Sequence, residues 1–127
     1  SDLGRELGFP TLNVRLGNWL PACQGIFAVR VHGLTGEPLA GVANLGVRPT
    51  LEANDVNQGQ VLLEVYVLDW PAHLGAQGGY GRVIAVDLLH KLHDERQYNG
   101  LPALQAGIAQ DCAEARDLLG QAAAAQG

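Results

Sequence analysis

The residues best suited to chemistry lie near the start of the sequence, in a loop that runs into an apolar-alternating segment. The loop contains two glycines, an arginine and a proline: Gly4, Arg5, Gly8 and Pro10. Glycine lets backbone N–H groups approach an anion closely, and proline fixes the backbone where the loop becomes extended. Thr11 and Asn13 follow, and their spacing puts both side chains on one face of a strand. The pattern is typical of a phosphate-binding loop, but a plain turn ahead of a strand has the same composition.

A second candidate group is the carboxylate of Glu64, which lies in the clearest β pattern of the chain, residues 60–70. The alternation predicts one aliphatic face and one mixed face. The two sets are Val61, Leu63, Val65 and Val67, and Leu62, Glu64, Tyr66 and Leu68. A carboxylate placed between apolar residues is either an edge charge that faces water or a buried functional group. The pattern leaves both interpretations open.

Other segments must position these groups, and three of them alternate as strands do. Residues 25–31 have Phe27, Val29 and Val31 on one face, which predicts a half-buried strand. Turn-forming residues at 33–38 join it to residues 39–46 in a predicted antiparallel hairpin. Residues 82–92 form another predicted strand, and residues 48–59 a loop. Residues 71–81 contain four glycines and are predicted to be a local surface insertion.

The last third of the chain changes to a helical period. Apolar residues recur at steps of three and four and predict one helix with a single apolar stripe. The stripe consists of Leu101, Leu104, Ile108, Cys112, Ala115 and Leu119. Asn99 is the expected N-cap and Gly120 the expected stop, so residues 1–120 form the predicted domain and residues 121–127 a frayed tail. Short strands followed by one helix predict a mainly β fold, a closed antiparallel barrel with the helix packed on it.

Composition excludes several classes of function. The net charge is -5 and only eight Lys and Arg residues are present, which disfavours a nucleic-acid surface. No apolar run approaches the ~20 residues of a membrane span, so no membrane contact and a cytoplasmic location are expected. Cys23 and Cys112 are far apart and form no C-x-x-C, so both are expected to be small core residues.

Five segments, in order, resemble the motifs of riboflavin kinases, and in particular of the C-terminal kinase module of bacterial bifunctional riboflavin kinase/FAD synthetase. They are LGFPTLN at residues 7–13, GIFAV at 25–29, GVANLGVRPT at 41–50, LEVY at 63–66 and KLHDERQY at 91–98. They resemble LGxPTxN, G-(V/I)-(Y/F)-A-V, GVANxGxRPT, LEVH and KLRxExxF. Tyr66 replaces the usual His, and His93 the usual Arg. The similarity covers nearly the whole chain.

The resemblance implies a six-stranded antiparallel Greek-key barrel with one C-terminal helix, and the activity of an ATP:riboflavin 5′-phosphotransferase, which makes FMN and ADP. It implies that Gly4, Arg5, Gly8, Pro10, Thr11 and Asn13 bind the nucleotide. Thr11 would also hold Mg²⁺, a hard cation that prefers oxygen ligands. Glu64 would be the base for the riboflavin hydroxyl. Arg96, Tyr98 and Leu101 would bind the flavin, although Tyr98 could equally be a core aromatic.

The same resemblance implies a longer protein. The chain lacks the H-x-G-H motif of adenylyltransferases, so FAD synthesis would belong to an N-terminal FMN adenylyltransferase domain. Only three residues precede Gly4, so the first barrel strand is expected to be missing from an N-terminally truncated domain, with the loop at residues 4–9 displaced. The alternative from another class is a non-catalytic flavin- or nucleotide-binding barrel.

Overall fold

The computed structural model describes residues 11–15, 24–48 and 60–126 of the chain. In this part of the molecule there are five strands and one long helix. The strands are β1 (Thr11–Arg15), β2 (Gly25–His32), β3 (Leu39–Arg48), β4 (Gln60–Val67) and β5 (Ala85–His93), and the helix is α1 (Leu101–Gln126). All four strands predicted after residue 24 are confirmed, with ends that differ by a few residues.

The strands form one antiparallel sheet in the order β1-β4-β3-β2-β5. The predicted hairpin is confirmed by the pairing of β2 with β3, and β4 continues the meander. β5 returns to the far side of β2, and β1 pairs with the outer side of β4. The mainly β antiparallel fold with a C-terminal helix is therefore confirmed. Among the described strands the sheet does not close, because β1 and β5 are its edges, and five strands are seen rather than six.

Two apolar clusters occupy the two faces of this sheet. The first contains Phe27, Val29, Val31, Leu34, Ala43, Leu45, Val61, Leu63, Val65 and Val67. The second lies between the other face and α1, and contains Ile26, Ala28, Val42, Tyr66, Ile108, Cys112, Ala115 and Leu119. The prediction of a half-buried β2 is therefore wrong, since five consecutive residues from Gly25 are buried. The helix covers the face that alternation alone assigned to solvent.

The helix differs from its prediction at both ends. The carbonyl of Gly100 accepts the first helical bond, from the Leu104 N–H at 3.2 Å, so Gly100 occupies the cap position expected for Asn99. α1 also continues past Gly120 to Gln126, so the expected stop is wrong. A glycine inside a helix costs only about 1 kcal/mol relative to alanine, and the residues around it are good helix formers. Fraying of residues 121–127 stays a prediction.

The glycine-rich segment at 71–81 is more than a surface insertion. It contains a 3-10 turn at Ala72–Leu74, and Leu74 packs against the first apolar cluster together with Trp70. The Trp70 indole N–H donates to the carbonyl of Gly75 at 2.8 Å. The segment therefore covers part of the core. In the described part of the chain, no helix has the length and apolar character needed to span a membrane.

Candidate functional site

The residues predicted to carry chemistry meet in a row across three strands. Glu64 of β4 stands opposite Asn13 of β1 on one side and opposite Asn44 of β3 on the other. Two residues further along β4, Tyr66 stands opposite Thr11. Directly paired residues of antiparallel strands share a face, with diagonal neighbours ~7–8 Å apart. The register therefore places the Thr11 and Glu64 positions on one face of the sheet, as diagonal neighbours.

The position of β4 argues against one of the two interpretations of Glu64, that of an edge charge. β4 lies between β1 and β3, so it is an interior strand and Glu64 is not an edge charge. The residue is half-buried and its side chain has interactions within the protein. The opposite face of the strand at this point is the first apolar cluster, where Leu63 and Val65 are buried. A partly desolvated carboxylate on an interior strand suits a group that must take up a proton at a defined point.

Asn44 is a polar residue in this row that the sequence analysis did not single out. Its Oδ1 atom is buried and, within the described part of the chain, has no hydrogen-bond partner. A buried acceptor without a donor carries a cost, and a ligand N–H or O–H removes that cost. The signal was available in the sequence, since Asn44 lies in the segment GVAN, an otherwise apolar strand.

A cleft opens beside this row, between the sheet and α1. Its walls are formed by Ile26, Val42, Asn44, Tyr66, His93, Arg96, Tyr98, Leu104, Ile108 and Asp111. The enclosed volume is about 90 Å³, which holds a few water molecules and is well below the ~300–1,000 Å³ of a typical ligand pocket. The cleft brings together Arg96 and Tyr98, two of the three residues predicted to bind flavin. Leu101 does not line it and is 44% exposed.

The segment that carries Arg96 and Tyr98, residues 94–100, is held against both the sheet and the helix. The ring and hydroxyl of Tyr98 lie on Gly107 of α1, where a Cβ atom would overlap them. The carboxylate of Glu95 lies over Gly46 of β3, where a Cβ atom would also collide. Two glycines therefore leave the space that this segment fills. Tyr98 contacts α1 and lines the cleft at the same time, and its contact with a flavin stays a prediction.

A short polar contact joins β5 to α1 at the end of the cleft. His93, the last residue of β5, has its Nε2 atom 2.6 Å from Oδ1 of Asp111. Its Nδ1 atom lies 2.6 Å from the carbonyl oxygen of Asp94. The two side chains are 12% and 8% exposed. The sequence analysis did not single out Asp111, although this residue lies three positions after Ile108 and therefore on the buried side of the helix.

Local contacts and burial shift the pKa values of two groups near His93 and Asp111. Lys91 donates to the carboxylate of Asp94 at 2.6 Å, and this hydrogen bond and charge lower the pKa of Asp94. Burial raises the pKa of the Cys112 thiol to about 11, so it stays protonated at neutral pH. Cys112 is a free, buried thiol, as predicted. Cys23 lies outside the described residues.

The phosphate loop itself lies outside the described part of the chain. This applies to Gly4, Arg5, Gly8 and Pro10, and for Asn13 the structure gives the backbone position alone. For a hard cation the described residues offer oxygen donors of the right kind, the Thr11 hydroxyl and the Glu64 carboxylate, on one face of the sheet. The donor chemistry therefore fits Mg²⁺. Groups of three or more His, Cys, Asp or Glu that could hold a metal are not found among the described residues.

A family model and the named relatives of this chain agree on one family. A family model described as "Flavokinase: Riboflavin kinase" matches residues 1–119. Proteins named bifunctional riboflavin kinase/FMN adenylyltransferase are 42% identical over 119 residues in Escherichia coli K12, and 36% over 116 residues in Haemophilus influenzae. The matches cover 94% and 91% of this chain. The chain spans 35% and 34% of the length of these two relatives.

A solved structure has the same fold. It is described as a macrolide-efflux protein from Streptococcus pneumoniae, and it superposes with a TM-score of 0.69 at 23% identity. The match covers 89% of this chain and 34% of that one. At this level of identity the likeness concerns the fold alone.

Proposed function

The chain belongs to the riboflavin kinase family, and from this premise we propose that it transfers the γ-phosphate of Mg-ATP to the 5′-hydroxyl of riboflavin, giving FMN and ADP. The observation that carries the proposal is the row in which Glu64 stands opposite both Asn13 and Asn44, with Thr11 on the diagonal. Family motifs that lie far apart in sequence thus meet on one face of the sheet, next to a cleft.

In this proposal Glu64 is the general base. Its carboxylate takes the proton of the riboflavin 5′-hydroxyl while the hydroxyl oxygen attacks the γ-phosphorus, and the bond to the bridging oxygen breaks to release ADP. Asn44 supports this arrangement, because its buried Oδ1 has no donor among the described residues and lines the same cleft. It would accept a hydrogen bond from riboflavin and so orient the substrate near Glu64.

The nucleotide side is formed by β1 and the loop before it. Gly4, Arg5, Gly8 and Pro10 would hold the phosphates, and Asn13 would contact the nucleotide. Thr11 would hold Mg²⁺, which neutralises phosphate charge when bound. On the other side, Arg96 and Tyr98 would contact the flavin from within the cleft, and Leu101 would do so from its rim.

The proposal extends to the fold and to the whole protein. The spatial order β5-β2-β3-β4 places a fourth strand beside the first of three meander strands, which supports a Greek-key arrangement. We propose that a sixth strand completes a barrel. Since the relatives are named as bifunctional and are about three times as long, we also propose that an FMN adenylyltransferase domain accompanies this one. The cytoplasmic location stays a prediction.

The test is FMN formation from riboflavin and Mg-ATP, followed by chromatography, for the wild type and two variants. Glu64→Gln should lower kcat by about two to four orders of magnitude, the range for loss of a general base, with riboflavin binding largely intact. Glu37→Gln is the matched control, since Glu37 is an exposed residue in the turn between β2 and β3. Near-normal turnover of Glu64→Gln would refute the role of Glu64. Tight binding by the wild type with no FMN would instead identify a non-catalytic binding barrel.

A further inference from the structure

One ring, that of His93, makes two polar contacts. Its Nδ1 lies 2.6 Å from the Asp94 carbonyl oxygen, which accepts a hydrogen bond from a ring N–H. Its Nε2 lies 2.6 Å from Oδ1 of Asp111, and the two side chains are almost removed from water. Both ring nitrogens therefore have a partner within hydrogen-bond distance.

The His93 ring lies where β5, segment 94–100 and α1 meet. His93 ends β5, Asp111 lies on α1, and segment 94–100 is the connection between the two elements. One ring nitrogen thus contacts the first residue of that segment, and the other contacts the helix on which Tyr98 rests. The ring ties the start of the segment to the same helix that bounds the cleft.

The groups around the pair come from four directions. Charged or titratable side chains are Lys91 on β5, Asp94, Glu95, Arg96 and Tyr98 in the segment, Asp111 and Cys112 on α1, and Tyr66 on β4. The Asp94 carboxylate is engaged by Lys91, 2.6 Å away, and the Cys112 thiol stays neutral because burial raises its pKa to about 11. Within the described part of the chain, the acceptors bonded to the His93 ring are Asp111 and the Asp94 carbonyl.

We propose that His93 is a positioning residue for riboflavin: through its contacts with Asp111 and with the Asp94 carbonyl, it holds segment 94–100, and with it Arg96 and Tyr98, at the flavin side of the cleft. This inference rests on the proposed function. Loss of either contact should free the segment and weaken riboflavin binding, while the nucleotide side, which lies on β1 and the loop before it, should keep its affinity.

The experiment measures riboflavin binding by quenching of flavin fluorescence, together with kcat and with KM for riboflavin and for ATP. His93→Gln and Asp111→Asn should raise the dissociation constant and KM for riboflavin about two- to tenfold, the range that one net hydrogen bond supports, while KM for ATP stays level. His93→Arg, which can still donate to Asp111, should keep most of the wild-type affinity for riboflavin.

His90→Gln is the matched control, because His90 is an exposed histidine on the same strand. It should keep the wild-type affinity. Wild-type riboflavin affinity in His93→Gln, or equal rises of KM for riboflavin and for ATP, would overturn the proposal. The expected losses of binding without any FMN formation would overturn the proposed function and leave the positioning role supported. Failure of the wild type to bind riboflavin would overturn both.

Discussion

Replacement of Gly107 by alanine should change the geometry of the cleft without any loss of helix stability. Gly107 lies inside α1, where alanine is favoured over glycine by about 1 kcal/mol. A Cβ atom at this position would overlap the ring and hydroxyl of Tyr98. Because an aromatic ring cannot bend around such a contact, Tyr98 must rotate or move away from the helix. The substitution should therefore leave the helix at least as stable while it displaces one wall of the cleft.

The size of the effect follows from what Tyr98 would contribute to flavin binding. A well-placed aromatic pair adds about 0.5–1.5 kcal/mol beyond its buried area, so its loss should weaken riboflavin binding roughly two- to tenfold or slightly more. Gly120→Ala is the matched control, since Gly120 lies on the same helix and a Cβ atom there meets nothing within 4 Å. It should raise the thermal midpoint without any change in riboflavin affinity.

The assay combines fluorescence titration of riboflavin with thermal unfolding for both variants and for Tyr98→Ala. If Tyr98 carries the effect, Gly107→Ala in a Tyr98→Ala background should cause little further loss of affinity, so the two changes will not be additive. Wild-type riboflavin affinity in Gly107→Ala would refute the reasoning. A midpoint far below that of the wild type would show that the overlap damages the fold rather than the cleft.

Two further predictions concern the nucleotide side and the buried thiol. Thr11→Val keeps the shape of the side chain and removes its hydroxyl, so it should weaken Mg-ATP binding far more than riboflavin binding in calorimetric titrations; equal losses would indicate a damaged fold. Because burial raises the pKa of the Cys112 thiol to about 11 in the folded chain, from its ordinary 9.0, the free energy of unfolding should fall as pH rises between these values, by about 1–2 kcal/mol. Melting curves of the wild type and Cys112→Ala at about pH 8 and pH 10.5 test this, and equal pH dependence in both would contradict it.

The local elements of this fold were predictable because each has one dominant pattern. The alternation in residues 60–70 and the three- and four-residue steps after Leu101 are strong signals, and both elements are present. The faces were harder to predict. Alternation in β2 indicated one buried face, whereas both are buried, because α1 packs on the side that the pattern assigned to solvent. The seven residues of the predicted strand carry no information about burial by an element that is distant in the sequence.

The site was predictable to the extent that it depends on strand register. Thr11, Asn13 and Glu64 were chosen from motifs, and the pairing of β1 with β4 brings their positions together. The pair of His93 and Asp111 was not predicted, since it joins a strand to a helix 18 residues away and depends on how α1 is oriented. A histidine in place of a motif arginine was visible in the sequence, but its partner required the tertiary structure.

The pairing of β1 with β4 also means that only every second residue of β4 lies on the face that carries the site. Position 64 of β4 lies on the same face as Asn44 and Tyr66, which line the cleft. Its neighbours 63 and 65 face the first apolar cluster, where Val65 is fully buried. A shift of one residue along β4 would exchange the two sets and carry the Glu64 carboxylate into that cluster. Burial of an unpaired charge costs several kcal/mol, a large part of the stability of a domain of this size. Burial in the first apolar cluster therefore stabilises the one strand register that brings the site residues together on the opposite face of the sheet.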